Sequence, residues 1–287
     1  MKARIVKIVS KDYTLQLEDG SRVVASMMGK VRRQDRPVAG DLVEAEETDG
    51  VYAVSKILPR HSRLIRPAVA NVDQALIVMS VKDPDFSTAL IDRLSVLIRF
   101  ADVSPVLIVT KCDLGIPPET EAAIREYEAG AIPVLRTAKD TLDPELAGIL
   151  KGKISVLTGQ SGAGKSSLLN TLDPTFRLAT QEISKALGRG KHTTRHNELH
   201  EVDGGLVADT PGFSSIDFTG ITKYELASLI PDFVPYLGSC RFNDCIHQNE
   251  PGCGIKKAVE EGKISRTRYN NYLQILQIIL DRKEKYI

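Results

Sequence analysis

Residues 159–167 read Gly-Gln-Ser-Gly-Ala-Gly-Lys-Ser-Ser, and Gly159, Gly164, Lys165 and Ser166 satisfy the spacing G-x-x-x-x-G-K-[S/T]. Those residue types suit the holding of a polyphosphate. Glycines let backbone N–H groups surround phosphate oxygens with no Cβ in the way. A helix starting at Lys165 adds free N-terminal donors and the positive end of its dipole. Lys165 is expected to bridge the β- and γ-phosphates and Ser166 to ligate Mg2+, while Gln160, Ser161, Gly162, Ala163 and Ser167 complete the cradle. The context fits, since the apolar strand Ile154–Thr158 precedes the loop and a helix-prone stretch, Ser166–Leu172, comes after it.

A phosphate loop does not choose a base. Thr110-Lys111-Cys112-Asp113 directly follows the apolar strand 105–109 and resembles the N/T-K-x-D element of GTPases. A carboxylate at Asp113 can accept both the N1–H and the 2-amino protons of guanine; adenine offers no such pair, so a buried Asp113 would reject it. Lys111 is expected along the base and ribose. Thr110 stands where Asn is commoner and makes fewer side-chain hydrogen bonds, which puts the rigidity of this loop in question. One strand and one helix further on, Arg136-Thr137-Ala138-Lys139 resembles the short element whose backbone N–H meets guanine O6, carried here by Thr137 and Ala138.

Downstream, Asp209-Thr210-Pro211-Gly212 ends the apolar run 205–208 and fits D-x-x-G. Asp209 would hold Mg2+ through water and the Gly212 N–H would sense the γ-phosphate. Between lies Gly188–Thr194, where one threonine should complete the Mg2+ shell; Thr194 is preferred to Thr193, though the sequence does not decide. Phe213 occupies the position at which familiar GTPases carry a water-orienting glutamine. Phenylalanine cannot hydrogen-bond water, so slow intrinsic hydrolysis and a stimulating partner are expected, with His192 as the candidate water-orienting group. The base-reading motifs precede the phosphate loop, whereas ordinary GTPases place the phosphate loop and switches first. Cutting that ring after D-x-x-G and rejoining the old ends gives this order, and the same sheet can still form.

A second chemistry lies near the C-terminus. Cys240, Cys245, His247 and Cys253 form C-x4-C-x-H-x5-C in a polar, glycine-containing stretch. Three thiolates and one imidazole make a closed tetrahedral set suited to one structural zinc ion, with no open position for catalysis. Metal would supply the folding free energy that apolar burial cannot.

The elements that must position these groups can be read from pattern. Five short runs rich in β-branched residues, Ala3–Val9, Tyr13–Glu18, Arg22–Met28, Asp41–Glu47 and Val51–Leu58, are separated by turn signals. They predict a small barrel of OB type, with a basic connection carrying Lys30, Arg32, Arg33 and Arg36. From Gln74 onward apolar strands alternate with helices, as in a parallel sheet covered on both faces. Ser87 is a predicted N-cap. Thr222-x-x-Glu225 predicts a capping box before a helix. Tyr272, Ile275, Leu276 and Ile279 share one face of a last helix. The expected division is 1–63, 64–220 and 221–287.

Composition narrows the classes. Over 287 residues the formal charge is +1, so any nucleic-acid contact must come from local patches. No run approaches the ~18 consecutive apolar residues of a membrane helix. The N-terminus has basic residues but no apolar signal core. Four cysteines without a secretion signal favour a metal site or free thiols, hence a soluble cytoplasmic protein with no membrane partner.

Taken together these residues resemble the RsgA-type circularly permuted GTPases, which assist late maturation of the small ribosomal subunit. The resemblance covers nearly the whole chain: a β-barrel, permuted motifs, then C-x4-C-x-H-x5-C. It implies a multidomain fold with an N-terminal all-β OB-type barrel, a central α/β circularly permuted P-loop GTPase and a C-terminal, mostly helical zinc-binding domain. It further implies GTP and GDP as ligands, Mg2+ with GTP, and slow hydrolysis stimulated by the small (30S) subunit. Both outer domains would grip rRNA, and Arg241, Lys256 and Lys257 could contribute phosphate contacts. The hydrophobic residue after D-T-P-G matches that family too. Three domains around one switch suggest a monomer. Two other classes compete: an RNA-binding assembly factor whose GTP site is only structural, and a P-loop small-molecule kinase.

Overall fold

The structure, a computed structural model, describes residues 1–29, 31, 36–65, 67–139, 144–172, 198–208, 213 and 216–282. Its first five strands are β1 (Lys2–Val9), β2 (Asp12–Leu17), β3 (Arg22–Met27), β4 (Leu42–Thr48) and β5 (Val51–Ile57). They close a barrel in the order β1-β2-β3-β5-β4. β3 and β5 run parallel, and β4 closes on β1 antiparallel. Alternate residues point inward, so Ala3, Ile5, Tyr13, Leu15, Val43, Ala45 and Val54 fill the interior. Within the expected basic connection, Lys30, Arg32 and Arg33 lie outside the described residues, and Arg36 is exposed.

Polar contacts fasten the barrel to the segment 60–71. The two-stranded ribbon β6 (Arg63–Leu64) and β7 (Val69–Ala70) meets it through a bridge between Ala39 and Val69. Asn71 Nδ2 donates to the Gly40 carbonyl at 3.0 Å. Arg60 pairs at 2.6 Å with Asp41, which is fully buried. A Cβ on Gly40, whose φ is +91°, would fall on the Ala70 carbonyl oxygen, so this close approach requires glycine.

Six strands form the central sheet: β8 (Gln74–Ser80), β9 (Ser104–Thr110), β10 (Val134–Arg136), β11 (Ile154–Gly159), β12 (Leu199–Val202) and β13 (Gly205–Ala208). Their order is β10-β9-β8-β11-β13-β12, parallel except where β12 runs antiparallel to β13. The helices between are α1 (Thr88–Phe100), α2 (Pro118–Glu128), α3 (Pro144–Leu150) and α4 (Lys165–Leu172). Every residue of β8 is buried, as a strand covered on both faces must be. Ala75, Ile77 and Met79 join one core with α1 and α2, while Leu76 and Val78 join another with α3 and α4. The chain reverses its direction of strand addition between β8 and β11, so a crevice opens at their carboxyl ends.

Ser87 caps α1 as expected, its Oγ accepting the Leu90 N–H at 3.3 Å. β10 begins at Val134, directly after Pro133, whose carbonyl accepts the Leu107 N–H at 2.9 Å. The capping box fares differently. Thr222 Oγ1 accepts the Glu225 N–H at 3.2 Å, but two 3-10 segments, Leu226–Leu229 and Pro231–Ser239, come next in place of an α-helix. Pro231 holds Ile230 extended, and Pro231 and Pro235 lack the N–H groups a helix interior needs. The true C-terminal helices are α5 (Gly254–Glu260) and α6 (Arg266–Leu280). Among the described residues no helix is long and apolar enough to cross a membrane.

α1 belongs to two cores. Ile91, Leu94 and Ile98 face the sheet, while Val96 and Leu97 pack with Phe218, Phe233, Tyr272, Ile275 and Leu276 of the C-terminal unit. At this joint Arg268, only 4% exposed, pairs with Asp92 at 3.1 Å and Asp232 at 2.6 Å. Asn271 Nδ2 and the Tyr127 hydroxyl also donate to Asp92, at 2.6 and 3.0 Å, and the Arg268 guanidinium lies 4.6 Å from the Tyr127 ring centroid. Removing Arg268 would leave two carboxylates without their cation, at least one in a dry environment. Arg268→Met is therefore expected to lower unfolding free energy by about 3–5 kcal/mol in a urea titration, whereas Arg282→Met at the more exposed end of α6 should cost under about 2 kcal/mol.

Candidate functional site

The phosphate loop leaves β11 in contact with its neighbour. A Cβ on Gly159, at φ +119°, would fall on the Val78 carbonyl oxygen of β8. Gly162 and Gly164 also have positive φ, which turns the loop back toward α4. The Lys165 ammonium donates to the Gly159 and Gln160 carbonyls at 2.9 and 2.5 Å, inside the curve of the loop. Burial lowers its pKa. The Gln160 side-chain oxygen is buried with no hydrogen-bond partner. Backbone N–H groups, an ammonium and the first turn of α4 are thus assembled where a chain of phosphate oxygens could sit, with Ser166 beside Lys165.

The elements expected to read the base converge on the same crevice. Thr110 ends β9, and its hydroxyl donates to the Ala163 carbonyl of the phosphate loop at 2.6 Å. The loop is therefore tied although threonine has one donor fewer than asparagine. Lys111 adopts a left-handed conformation and its ammonium reaches the Asp83 carbonyl. The two motifs are stitched backbone to backbone: Cys112 N–H donates to Thr137 O at 3.1 Å and Thr137 N–H to Val109 O at 2.7 Å. Asp113 Oδ1 accepts the Lys139 N–H at 2.9 Å. The expected burial of Asp113 is corrected, since its side chain is exposed on the rim. It lies just past the end of a strand and no described element covers it, so a base laid against it would supply the cover.

His192, Thr193, Thr194, Asp209 and Gly212 lie outside the described residues, as does the loop 188–194. The strand that delivers Asp209 is present as β13, next to β11. Phe213 has φ +53° and is packed against both the sheet core and the C-terminal core.

The cysteine and histidine cluster is preassembled. The ligand atoms of Cys240, Cys245, His247 and Cys253 all lie within 4.8 Å of one another. His247 Nδ1 is 3.5, 3.4 and 3.4 Å from the sulfurs of Cys240, Cys245 and Cys253. A tetrahedral zinc with Zn–S ~2.3 Å and Zn–N ~2.0–2.1 Å requires an N–S edge of about 3.5 Å, so the set fits the ion. Gly254 N–H donates to Cys240 Sγ at 3.3 Å and Lys256 N–H to Cys253 Sγ at 3.5 Å, bonds that favour thiolate. Burial otherwise pushes the Cys245 thiol up to about 12 and the His247 imidazole down. A dication would reverse the first tendency and use the neutral imidazole left by the second. Tyr269 and Tyr272 hold the loop from α6 through hydroxyl bonds to His247 O at 2.8 Å and Ile246 O at 2.6 Å. Glu250 accepts three loop N–H groups, those of Ile246, Gln248 and Asn249.

A sequence profile described as RsgA GTPase matches residues 57–219. The chain belongs to the RsgA GTPase family. A relative from Shouchella clausii (strain KSM-K16), named small ribosomal subunit biogenesis GTPase RsgA, is 47% identical over 98% of each chain. The protein of that name from Bacillus subtilis (strain 168) is 42% identical over 99% of each. Among solved structures, YloQ, titled a circularly permuted GTPase, superposes with TM-score 0.84 at 37% identity over 99% of this chain and 96% of its own. YjeQ from Thermotoga maritima gives 0.85 at 35%, over 98% and 99%. As a member of the RsgA family the protein is a GTP-hydrolysing enzyme, and its strand order is that of a circularly permuted fold.

Several supports of this RsgA-family site are not visible in the sequence. The Thr110–Ala163 bond and the Asp113–Lys139 bond join residues 53 and 26 positions apart. The tyrosine hydroxyls reach the metal loop from 22 and 26 positions away. No local spacing rule covers such partners. Asp113→Asn keeps an oxygen for the Lys139 N–H but replaces the other acceptor by a donor. It should weaken GTP binding about a hundredfold, by the loss of charge-assisted bonds worth roughly 1.5–3 kcal/mol, and shift preference toward xanthosine triphosphate. Equilibrium nucleotide titrations check this; unchanged GTP affinity would remove Asp113 from the base site.

Proposed function

We infer that this GTPase assists late maturation of the small ribosomal subunit, hydrolysing GTP slowly by itself and faster on the subunit. The observation that carries the reading is the combination of closed barrel, permuted sheet and Cys3His unit in one chain that aligns end to end with relatives named for that role. The units are taken as residues 1–63, 64–220 and 221–287, acting as a cytoplasmic monomer. In this reading the barrel and the metal unit touch rRNA, using basic side chains such as Arg36, exposed Arg241 and Lys257, and half-buried Lys256.

The site roles follow from the chemistry of phosphoryl transfer. Residues 159–167 hold the polyphosphate, Lys165 neutralises the β- and γ-oxygens, and Ser166 with Thr194 ligates Mg2+. Asp209 and Gly212 sense the metal and the γ-phosphate. Thr110, Lys111, Asp113, Thr137 and Ala138 form the guanine side. Mg2+ held there with GTP would supply neutralisation of the charge that develops on the phosphates. The attacking water needs a group to orient it. Phe213 offers no hydrogen bond and its ring packs into two cores, which supports slow turnover until a partner completes the site. The C-terminal ligands are taken to hold one zinc ion per chain, whose binding is worth about 10–16 kcal/mol in small zinc domains. Ordering each residue of so polar a loop costs about 1–2 kcal/mol, which apolar burial there does not offset.

Two experiments test this. Purified protein should contain one zinc per chain, and cobalt substitution should give the visible bands of a tetrahedral thiolate site; Cys245→Ser should lose both. GTP turnover with purified 30S subunits should far exceed turnover alone, and His192→Ala should cut the stimulated rate by roughly a hundredfold at unchanged GTP affinity. Equal turnover with and without subunits would sink the ribosomal reading, and an unaffected His192→Ala rate would sink the role of that histidine.

A further inference from the structure

Arg136 lies between the two halves of the base site, at the head of the Arg136–Lys139 element, whose expected base contact is carried by Thr137 and Ala138. It is the last residue of β10, immediately before Thr137, Ala138 and Lys139. Four of the five N–H donors of its guanidinium are taken up by α2. Nη1 and Nη2 donate to the two oxygens of Glu121 at 2.8 and 3.1 Å, and Nε and Nη2 to the two oxygens of Glu128 at 2.7 and 3.0 Å. Arg125 donates a further bond to Glu121 at 2.9 Å. The Arg136 and Arg125 hydrogen bonds hold the Glu121 carboxyl down at about 2. An isolated surface pair contributes little, but a planar guanidinium forked onto two carboxylates fixes direction as well as distance. The fork thereby fixes the exit of β10 relative to α2, the helix that comes after the turn bearing Asp113.

The consequences run into the pocket by covalent adjacency. Thr137, the next residue, makes both backbone stitches to β9 and the Asp113 turn. Lys139, three residues on, gives its N–H to Asp113 Oδ1. Two weak spots, a three-residue strand and a loop, would otherwise have to hold the N–H groups aimed at the 6-position of the base. Among the described residues β10 is an edge strand paired with β9 alone, so one side of its backbone has no described strand to set its position.

We propose that Arg136 is the positioning residue of the loop that reads the guanine 6-position, acting through its clamp on Glu121 and Glu128. This rests on the assignment of the guanine site to Asp113, Thr137 and Ala138. In this role Arg136 touches neither base nor phosphate, so its loss should alter base selection and leave turnover at saturating GTP unchanged.

The test uses the full chain and three diphosphates: GDP, 6-thio-GDP, which alters only the 6-position acceptor, and IDP, which lacks only the 2-amino group. In Arg136→Met the preference for GDP over 6-thio-GDP should fall about three- to tenfold, the worth of one hydrogen bond. Glu121→Gln and Glu128→Gln, which each remove one arm at constant volume, should shift the same ratio in the same direction by less. Turnover at saturating GTP should match wild type. A ratio unmoved in all three variants, or equal weakening of GDP and 6-thio-GDP, overturns the inference, since mere loosening of α2 would act on both ligands alike. If the wild-type protein does not prefer GDP to IDP, the underlying guanine assignment fails as well; if it does and only the 6-thio ratio stays fixed, the positioning role alone is lost.

Discussion

Everything in the nucleotide site depends on one pairing, that of β8 with β11. Strands β9 and β10 end in the elements assigned to the base, and β8 lies beside them. Strands β11 and β13, parallel to them, lead into those assigned to the phosphates and the metal. In chain order these are two consecutive halves, and no covalent necessity places them side by side. The parallel register from Ser155 opposite Gln74 to Gly159 opposite Val78 does so. It brings the strands so near at their ends that Gly159 can carry no Cβ. A side chain there would push the phosphate loop off β8 and part the base-reading half from the rest. The buried, purely apolar middle of β8 is what makes the register robust: a slip of one residue would exchange the α1/α2 face for the α3/α4 face.

The same permutation decides how the outer units attach. A domain that starts at β8 and finishes after β13 emits its C-terminal continuation from the D-x-x-G end of the sheet. The next described residue, Phe213, is already packed against both the sheet core and the C-terminal core. α1 then gives its second face to that unit, and the buried Asp92–Arg268–Asp232 group sets the registry of the contact. Apolar surface would hold the two units together in many orientations; buried charges with directional partners accept very few. On the barrel side, β1 carries a register shift between Ile5 and Lys7, and Lys7 there bridges Glu198 while pairing with its carboxylate at 2.7 Å. The strand entering the β12–β13 hairpin thus leans on the barrel, so both outer units contact segments that flank the nucleotide crevice.

Much of this was legible from residue types alone. The barrel strands follow from β-branched runs such as Ala3–Val9, and the parallel sheet from apolar runs such as Gln74–Ser80, because residue pattern and burial are local properties. The phosphate loop and the Cys3His set are legible because their spacing is their chemistry. The features that escaped had distant partners or local vetoes. Thr222 accepts the Glu225 N–H as a capping box predicts, yet Pro231 and Pro235 prevent the helix beyond it. The exposure of Asp113 could not be read because it depends on which elements cover a loop. The pairings of Arg136 and Arg268 could not be read because their carboxylate partners sit on other elements.

Thr110 shows how a departure from pattern can be neutral once geometry is known. Asparagine in that place would offer two donors on a longer arm. Here β9 ends close enough to the phosphate loop that a Cβ added to Gly164 would stand 3.6 Å from Thr110 Oγ1. At that spacing a short side chain suffices, and the hydroxyl spans the remaining gap to Ala163 in one strong bond. Threonine is also branched at Cβ, so few rotamers are open to it and little freedom is lost in making that bond. The buried hydroxyl has Met79 O at 3.3 Å on its other side, so its environment stays polar. Rigidity between the base and phosphate halves therefore comes from proximity and side-chain stiffness, in place of the number of donors. That proximity is again a consequence of β8 lying between β9 and β11 with its end drawn against Gly159.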